Sequence, residues 1–170
     1  YECLRRDPQA VLAAMNATPK SELPRYQQYQ KELFADLDWD TVQLGDIDLA
    51  VKYLYLQTQV FAGTPLSATN VPYFTELKAG GKYPSKYDTL KKKLDKESIQ
   101  QRVQQITAVE KIDCEDLIRK YDSPTTFFYV DPPYYNMEFY YSKDFPREKH
   151  QSLANTLSNI QGKFALSYYD

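Results

Sequence analysis

Thr126-Phe127-Phe128-Tyr129-Val130-Asp131-Pro132-Pro133-Tyr134 is the stretch whose reading decides the fold. Residues 126–130 form a short, β-rich apolar run, the pattern of a strand buried in a sheet. Asp131 then ends the run, and two consecutive prolines follow. Neither proline can donate a backbone hydrogen bond and both have a fixed φ, so regular structure stops there and the loop is stiff. Downstream, Pro146 stands near the first turn of a predicted helix that carries His150, Leu153, Leu157 and Ile160 on one face and ends before Gly162. Phe164 to Tyr168 supplies a second strand. Upstream, Glu115 to Lys120 reads as a helix and Lys111 to Asp113 as a short strand end. The order strand, helix, strand, helix, strand predicts an α/β fold with a parallel sheet, the Thr126 and Phe164 strands lying side by side.

The first two thirds of the chain read as helical. Asp7 to Asn16 and Pro24 to Leu37 form a pair separated by Thr18-Pro19-Lys20-Ser21. Asp46 can cap a third helix running to about Gln59, with Leu49, Tyr53 and Leu56 at helical spacing and Ala50 and Leu54 on its other face. That pattern predicts burial on two sides. Between Phe61 and Tyr87 the periodicity vanishes among glycines and prolines, and Tyr73, Phe74, Tyr83 and Tyr87 interleave with lysines, which predicts an irregular surface loop. A further helix is expected from Asp95 to about Ala108, with Ile99, Val103 and Ile106 on one side.

A chain of 170 residues can build one domain with a real core, or a core with a small insertion. Its 21 Lys plus Arg against 23 Asp plus Glu leave it nearly neutral, so a nucleic-acid partner must be sought in local patches. One exists: Lys78 to Lys96 holds seven lysines against two aspartates, either a solvated face or a phosphate-binding surface. Cys3 and Cys114 lack metal-ligand spacing and suit free thiols in a reducing compartment, by default the cytoplasm. No segment approaches the roughly 20 apolar residues of a membrane helix, and no signal peptide is visible. The start at Tyr1 and the stop at Asp170 directly after a strand suggest a piece of a longer protein.

In open parallel sheets, ligands bind outside the carboxyl ends of the strands, which is where residues 131–134 fall. A carboxylate, stiffly held carbonyl acceptors and an aromatic ring together suit an exocyclic amine on a flat heterocycle: two acceptors for its hydrogens and a face for its ring.

The run from Ile112-Asp113-Cys114-Glu115 through Tyr121-Asp122-Ser123-Pro124 to Val130-Asp131-Pro132-Pro133-Tyr134-Tyr135 resembles the middle of the D12-class, or Dam-like, DNA adenine-N6 methyltransferases. Tyr140-Tyr141, the helix with His150 and Leu153, Gly162-Lys163-Phe164 and Leu166-Ser167-Tyr168-Tyr169-Asp170 continue that family's order. The resemblance covers residues 100–170 clearly and is weaker before them. It implies part of a Rossmann-like methyltransferase parallel sheet with a helical target-recognition insertion. The divisions it suggests are 1–23 as a core helical segment, 24–107 as the recognition region, and 108–170 as the catalytic segment.

The resemblance further implies methyl transfer from S-adenosyl-L-methionine to an adenine flipped out of double-stranded DNA. Asp131, Pro132, Pro133 and Tyr134 become the catalytic loop: Asp131 and the Pro132 carbonyl accept from N6, and Tyr134 stacks on the base. Asp113, Cys114 and Asp131 become the cofactor-binding residues. Relatives often carry Phe where Cys114 stands, and a helix N-cap is the alternative role for Asp113. Gln57, Thr58, Gln59 and Asn70 are candidates for reading base edges, and Lys91, Lys92 and Lys93 for meeting phosphates. Tyr135, Tyr140 and Tyr141 are candidates for lining the base pocket, while His150, on an apolar helix face, is expected to pack or cap. No metal and no membrane are implied; a cognate restriction endonuclease is a partner the resemblance allows. The family's Phe-x-Gly-x-Gly cofactor loop has no match here, since Pro65 breaks the pattern at Phe61-Ala62-Gly63. In family order it would precede Tyr1, so the piece alone is expected to bind cofactor weakly. Alternatives are a non-catalytic DNA-binding fragment, and an RNA adenine or cytosine-N4 methyltransferase. Asp131 favours adenine over cytosine-N4, and neither cysteine follows a proline as in cytosine-C5 enzymes.

Overall fold

The computed structural model describes residues 1–18, 22–60, 66–72, 85–135 and 145–168. It divides into two compact units, Tyr1–Val109 and Glu110–Asp170.

The N-terminal unit is helical: α1 (Glu2–Arg6), α2 (Pro8–Ala17), α3 (Leu23–Phe34), α4 (Ile47–Gln59), α5 (Lys86–Leu94) and α6 (Glu97–Gln104). Side-chain caps explain where three of these begin. The Asp7 carboxylate accepts from Ala10 N at 2.8 Å, Asp46 from Leu49 N at 3.0 Å, and the Ser85 hydroxyl from Asp88 N at 2.9 Å, each satisfying an amide the first turn cannot. Gly45, with φ of 100°, turns the chain into the α4 cap through the left-handed region that favours glycine. The helices α2, α3 and α5 pack on α4, whose Val51, Tyr55 and Leu56 are buried with Val11, Met15, Tyr26, Leu33 and Tyr87. Tyr55 also tethers the start of α3, its hydroxyl accepting from Glu22 N at 3.0 Å.

Several expectations need correction. The buried face of α4 runs through Val51, Tyr55, Leu56 and Gln59, and Tyr53 is exposed. Leu49, Ala50 and Leu54 do pack partly against the core. Helix α5 takes up residues read only as a lysine-rich charge cluster, and the helix expected from Asp95 to Ala108 shortens to α6, which has no buried residue. Most of the expected irregular loop, with Tyr73, Phe74 and Tyr83, lies outside the described residues.

The C-terminal unit contains α7 (Cys114–Tyr121), β1 (Phe127–Val130), α8 (Arg147–Ser158) and β2 (Lys163–Leu166). The strands pair in parallel, Phe127 opposite Lys163 and Val130 opposite Leu166, as the crossover reading requires. Ile118, Leu153 and Leu157 are buried, with Phe128, Val130, Phe145 and Ile160 packed around them. Lys111 to Asp113 forms no strand, so the sheet among the described residues has two strands and not three. Gly162 enters β2 where backbone crowds it: a Cβ there would lie 2.6 Å from the Thr126 carbonyl oxygen and 3.0 Å from that of Ser123. Asp122 closes the same end, its carboxylate accepting from Gln161 N and Gly162 N at 2.9–3.0 Å. Buried Glu115 ties α7 to α8, accepting from Ser152 Oγ and Thr156 Oγ1, both at 2.8 Å, while Arg119 pairs with it at 2.9 Å. Together these bonds hold its carboxyl below the usual glutamate range.

Candidate active site

Where β1 ends, Val130 O accepts from Ser167 N at 2.9 Å, carrying the ladder one residue past β2. The residues after both strands therefore meet at one sheet edge. Asp131 is exposed there, Pro132 is buried beneath it, and Pro133 and Tyr134 are half-buried. The Tyr134 hydroxyl bonds Ser167 Oγ at 2.8 Å and reaches Asp131 Oδ1 at 3.4 Å, a long contact beside a good one. Its ring lies 6.1 Å from that of Tyr168, tilted by 60°. A carboxylate and an aromatic ring are thus anchored on a rigid double-proline turn at the carboxyl edge of a parallel pair.

Beside this edge, the Tyr168 hydroxyl and His150 Nδ1 are 2.7 Å apart, and the His150 ring meets Tyr135 and Phe145 edge-on at 5.5 and 4.7 Å. His150 thus packs among aromatic rings, as its place on an apolar helix face led one to expect. Two hollows share His150 and Tyr168. One, of about 290 Å³, is lined by Tyr135, Arg147 and Gln151; the other, of about 210 Å³, by Pro132, Leu153 and Leu166. Tyr140 and Tyr141 lie outside the described residues.

Asp113 is the N-cap of α7: its Oδ1 accepts from Glu115 N at 2.9 Å and its Oδ2 pairs with Lys149 Nζ at 3.1 Å. The Glu115 amide first, then Lys149, hold its carboxyl below the usual aspartate range. Cys114 is half-buried against the Ile118 cluster, and burial pushes its thiol up. Both oxygens of the Asp113 carboxylate are therefore engaged with protein groups.

The residues expected to touch DNA divide by burial. Gln57 and Thr58 are half-buried at the end of α4, Thr58 Oγ1 donating to Tyr55 O at 2.8 Å. Gln59 is only 1% exposed and its amide donates to Thr58 Oγ1 at 3.1 Å. Asn70 closes its own turn, its side-chain oxygen accepting from Ser67 N and its carbonyl from Gln30 Nε2. On α5, Lys91 pairs with Asp88 at 2.7 Å and lies 5.4 Å from the centre of the Tyr87 ring, lowering the Asp88 carboxyl from its ordinary range. Lys92 and Lys93 are exposed. A groove of about 600 Å³ between α2 and α5 is lined by both Lys91 and Lys92 and both Asp88 and Asp95, a surface of mixed charge.

Sequence reasoning did not single out Ser167 or the Glu115 hub. The second strand ends at Leu166 and not at the expected Tyr168, and it is the observed pairing of Val130 with Leu166 that brings Ser167, one residue on, beside the Asp131 loop.

A sequence model of the D12 class N6 adenine-specific DNA methyltransferase family matches the chain over residues 1–170. The chain belongs to this family, whose activity is methylation of adenine in DNA. No curated protein and no solved structure shows significant similarity to it. No helix among the described residues is long and apolar enough to cross a membrane.

Proposed function

We propose that the chain carries the catalytic loop and target-recognition region of a site-specific DNA adenine-N6 methyltransferase that uses S-adenosylmethionine and acts on a flipped-out base. The observation that carries this reading is the exposed Asp131 beside the Tyr134 ring at the carboxyl edge of β1. In this reading the two-stranded sheet is part of a Rossmann-like sheet.

An adenine N6 lone pair is delocalised into its ring and is a poor nucleophile. Asp131 and the Pro132 carbonyl accept its two hydrogens and draw the amine toward a geometry in which the lone pair projects from nitrogen. Tyr134 supplies a stacking face for the extruded ring, and the prolines keep these groups from reorganising as charge develops. Asp131 and the backbone of Asp113 and Cys114 are the groups that would hold S-adenosylmethionine, which supplies an electrophilic methyl group when bound. No covalent bond between enzyme and DNA is needed.

Residues 24–107 would supply DNA recognition. Exposed Lys92 and Lys93 suit phosphates, and half-buried Gln57, Thr58 and Asn70 suit base edges better than buried Gln59 does. A restriction endonuclease sharing the same target is a natural partner of such an enzyme.

The test is methyl transfer by the complete protein to adenine-unmethylated genomic DNA, with the product nucleosides separated by mass. N6-methyldeoxyadenosine is the expected product. Asp131→Ala should abolish it while DNA affinity falls by less than about tenfold, since the carboxylate acts on N6 and not on the DNA backbone. Near-normal turnover of Asp131→Ala, or N4-methylcytosine as product, overturns the reading.

A further inference from the structure

We propose that Ser167 is a positioning residue for methyl transfer, holding Tyr134 in register with Asp131 through its hydroxyl. The inference rests on the reading of residues 131–134 as the catalytic loop, and extends it to a residue on a different strand.

The geometry has three parts. First, Ser167 is located by the sheet and not by the loop it touches, because its amide donates to Val130 O at 2.9 Å. Its position is thereby inherited from the β1–β2 pair. Second, its Oγ lies 2.8 Å from the Tyr134 hydroxyl, closer than Asp131 Oδ1 does. The contact to Asp131 Oδ1 at 3.4 Å is near the limit of a hydrogen bond. Third, Tyr134 follows two prolines, which fix the backbone of the loop but do not themselves set the side-chain torsions of the tyrosine ring. A hydroxyl anchored on the neighbouring strand restrains those torsions at the far end of the ring.

The functional consequence follows from what Tyr134 must do. A stacking ring that swings by a fraction of an ångström shifts the base it carries, and with it the distance from N6 to the Asp131 carboxylate. Ser167 touches neither the base nor the cofactor in this account. It acts through Tyr134, so its effect falls on kcat more than on DNA affinity, and it cannot outlast removal of the Tyr134 hydroxyl.

The experiment is a double-mutant cycle on the complete protein with radiolabelled S-adenosylmethionine and adenine-unmethylated genomic DNA. Ser167→Ala and Tyr134→Phe should each lower kcat by about three- to tenfold, the range set by loss of one neutral hydrogen bond, with KM for DNA changed by less than about twofold. The double variant should be no slower than the slower single one, and Ser167→Thr, which keeps the hydroxyl, should recover kcat to within about twofold of wild type. In the 170-residue chain itself, the ¹³Cζ resonance of Tyr134 should move in Ser167→Ala, reporting the lost bond without any turnover. Wild-type kcat in Ser167→Ala, losses that multiply in the double variant, or an unmoved Tyr134 resonance overturns the proposal. Failure of the catalytic-loop reading is seen separately, as persistent turnover in Asp131→Ala.

Discussion

Replacing Gly162 by alanine should destabilise the C-terminal unit, and the size of the effect can be worked from the atoms around it. The new Cβ would sit 2.6 Å from Thr126 O and 3.0 Å from Ser123 O, both backbone atoms that cannot swing aside. The strand entrance must open by several tenths of an ångström. That movement also stretches the Lys163 N to Thr126 O bond of 2.9 Å and the Gly162 N to Asp122 bond of 3.0 Å. Forced overpacking of this kind costs about 1–3 kcal/mol. Alanine restricts the unfolded chain more than glycine does, which offsets about 0.4–1 kcal/mol. The net loss is then at most about 2.6 kcal/mol, and about 1.3 kcal/mol at the centres of the two ranges. In urea, with a slope of about 1 kcal/mol/M for so small a unit, the midpoint should fall by about 1 M or more. Hydrogen exchange at Lys163 and Ser167 reads this unit directly. Trp39, the one tryptophan, lies in the N-terminal unit, its indole donating to Leu33 O at 2.8 Å, and serves as an internal control. Unchanged or slower exchange in Gly162→Ala would refute the packing argument.

Two further outcomes are expected. Glu115→Gln should weaken the α7–α8 contact by about 1 kcal/mol at neutral pH, because the acceptor of Ser152, Thr156 and Arg119 loses its charge. Since the folded-state pKa is lowered, the wild-type advantage is complete above the ordinary value of 4.5 and disappears as pH falls through the lowered one; denaturant titrations of both proteins at several pH values check the sign. On α5, neutralising exposed Lys92 and Lys93 together should reduce the slope of log affinity against log salt by about two, whereas Lys91→Ala, already paired with Asp88, should change it little. Anisotropy titrations on random-sequence duplex DNA decide this, and equal effects of all three lysines would reject the division.

Where one residue type dictates the local backbone, the sequence was readable. The Asp46 cap set the start of α4, the apolar run before Asp131 became β1, and the double proline marked the strand end on which the candidate site stands. Helix α5 was hidden because its lysines dominate the composition of the segment. Its helical signature is sparse: a Ser85 cap and the inward Tyr87, Leu90 and Leu94. Gln59 and Tyr53 exchanged their expected places because α4 packs against α2, α3 and α5 together, and spacing along one helix does not say which neighbour takes which stripe. Asp113 shows the limit of a motif. Its position is equally suited to cap a helix, and here its carboxylate does so. Ser167 was invisible in the role proposed for it because nothing local marks a serine whose partner lies 33 residues away.

The two ends of the β1–β2 pair have separate duties. Asp122, Thr126 and Gly162 close the floor, while Asp131, Tyr134 and Ser167 crowd the rim. Five residue steps, from Thr126 to Asp131 along β1 and from Gly162 to Ser167 along β2, put roughly 16 Å between them at about 3.3 Å a step. At that separation, substitutions with no shared partner combine additively to within about 0.5 kcal/mol. A library of floor variants screened only for thermal resistance can therefore be crossed with a library of rim variants screened only for turnover or target choice. Gains from the two should add, so that this small unit can be hardened at one end while its chemistry is rewritten at the other.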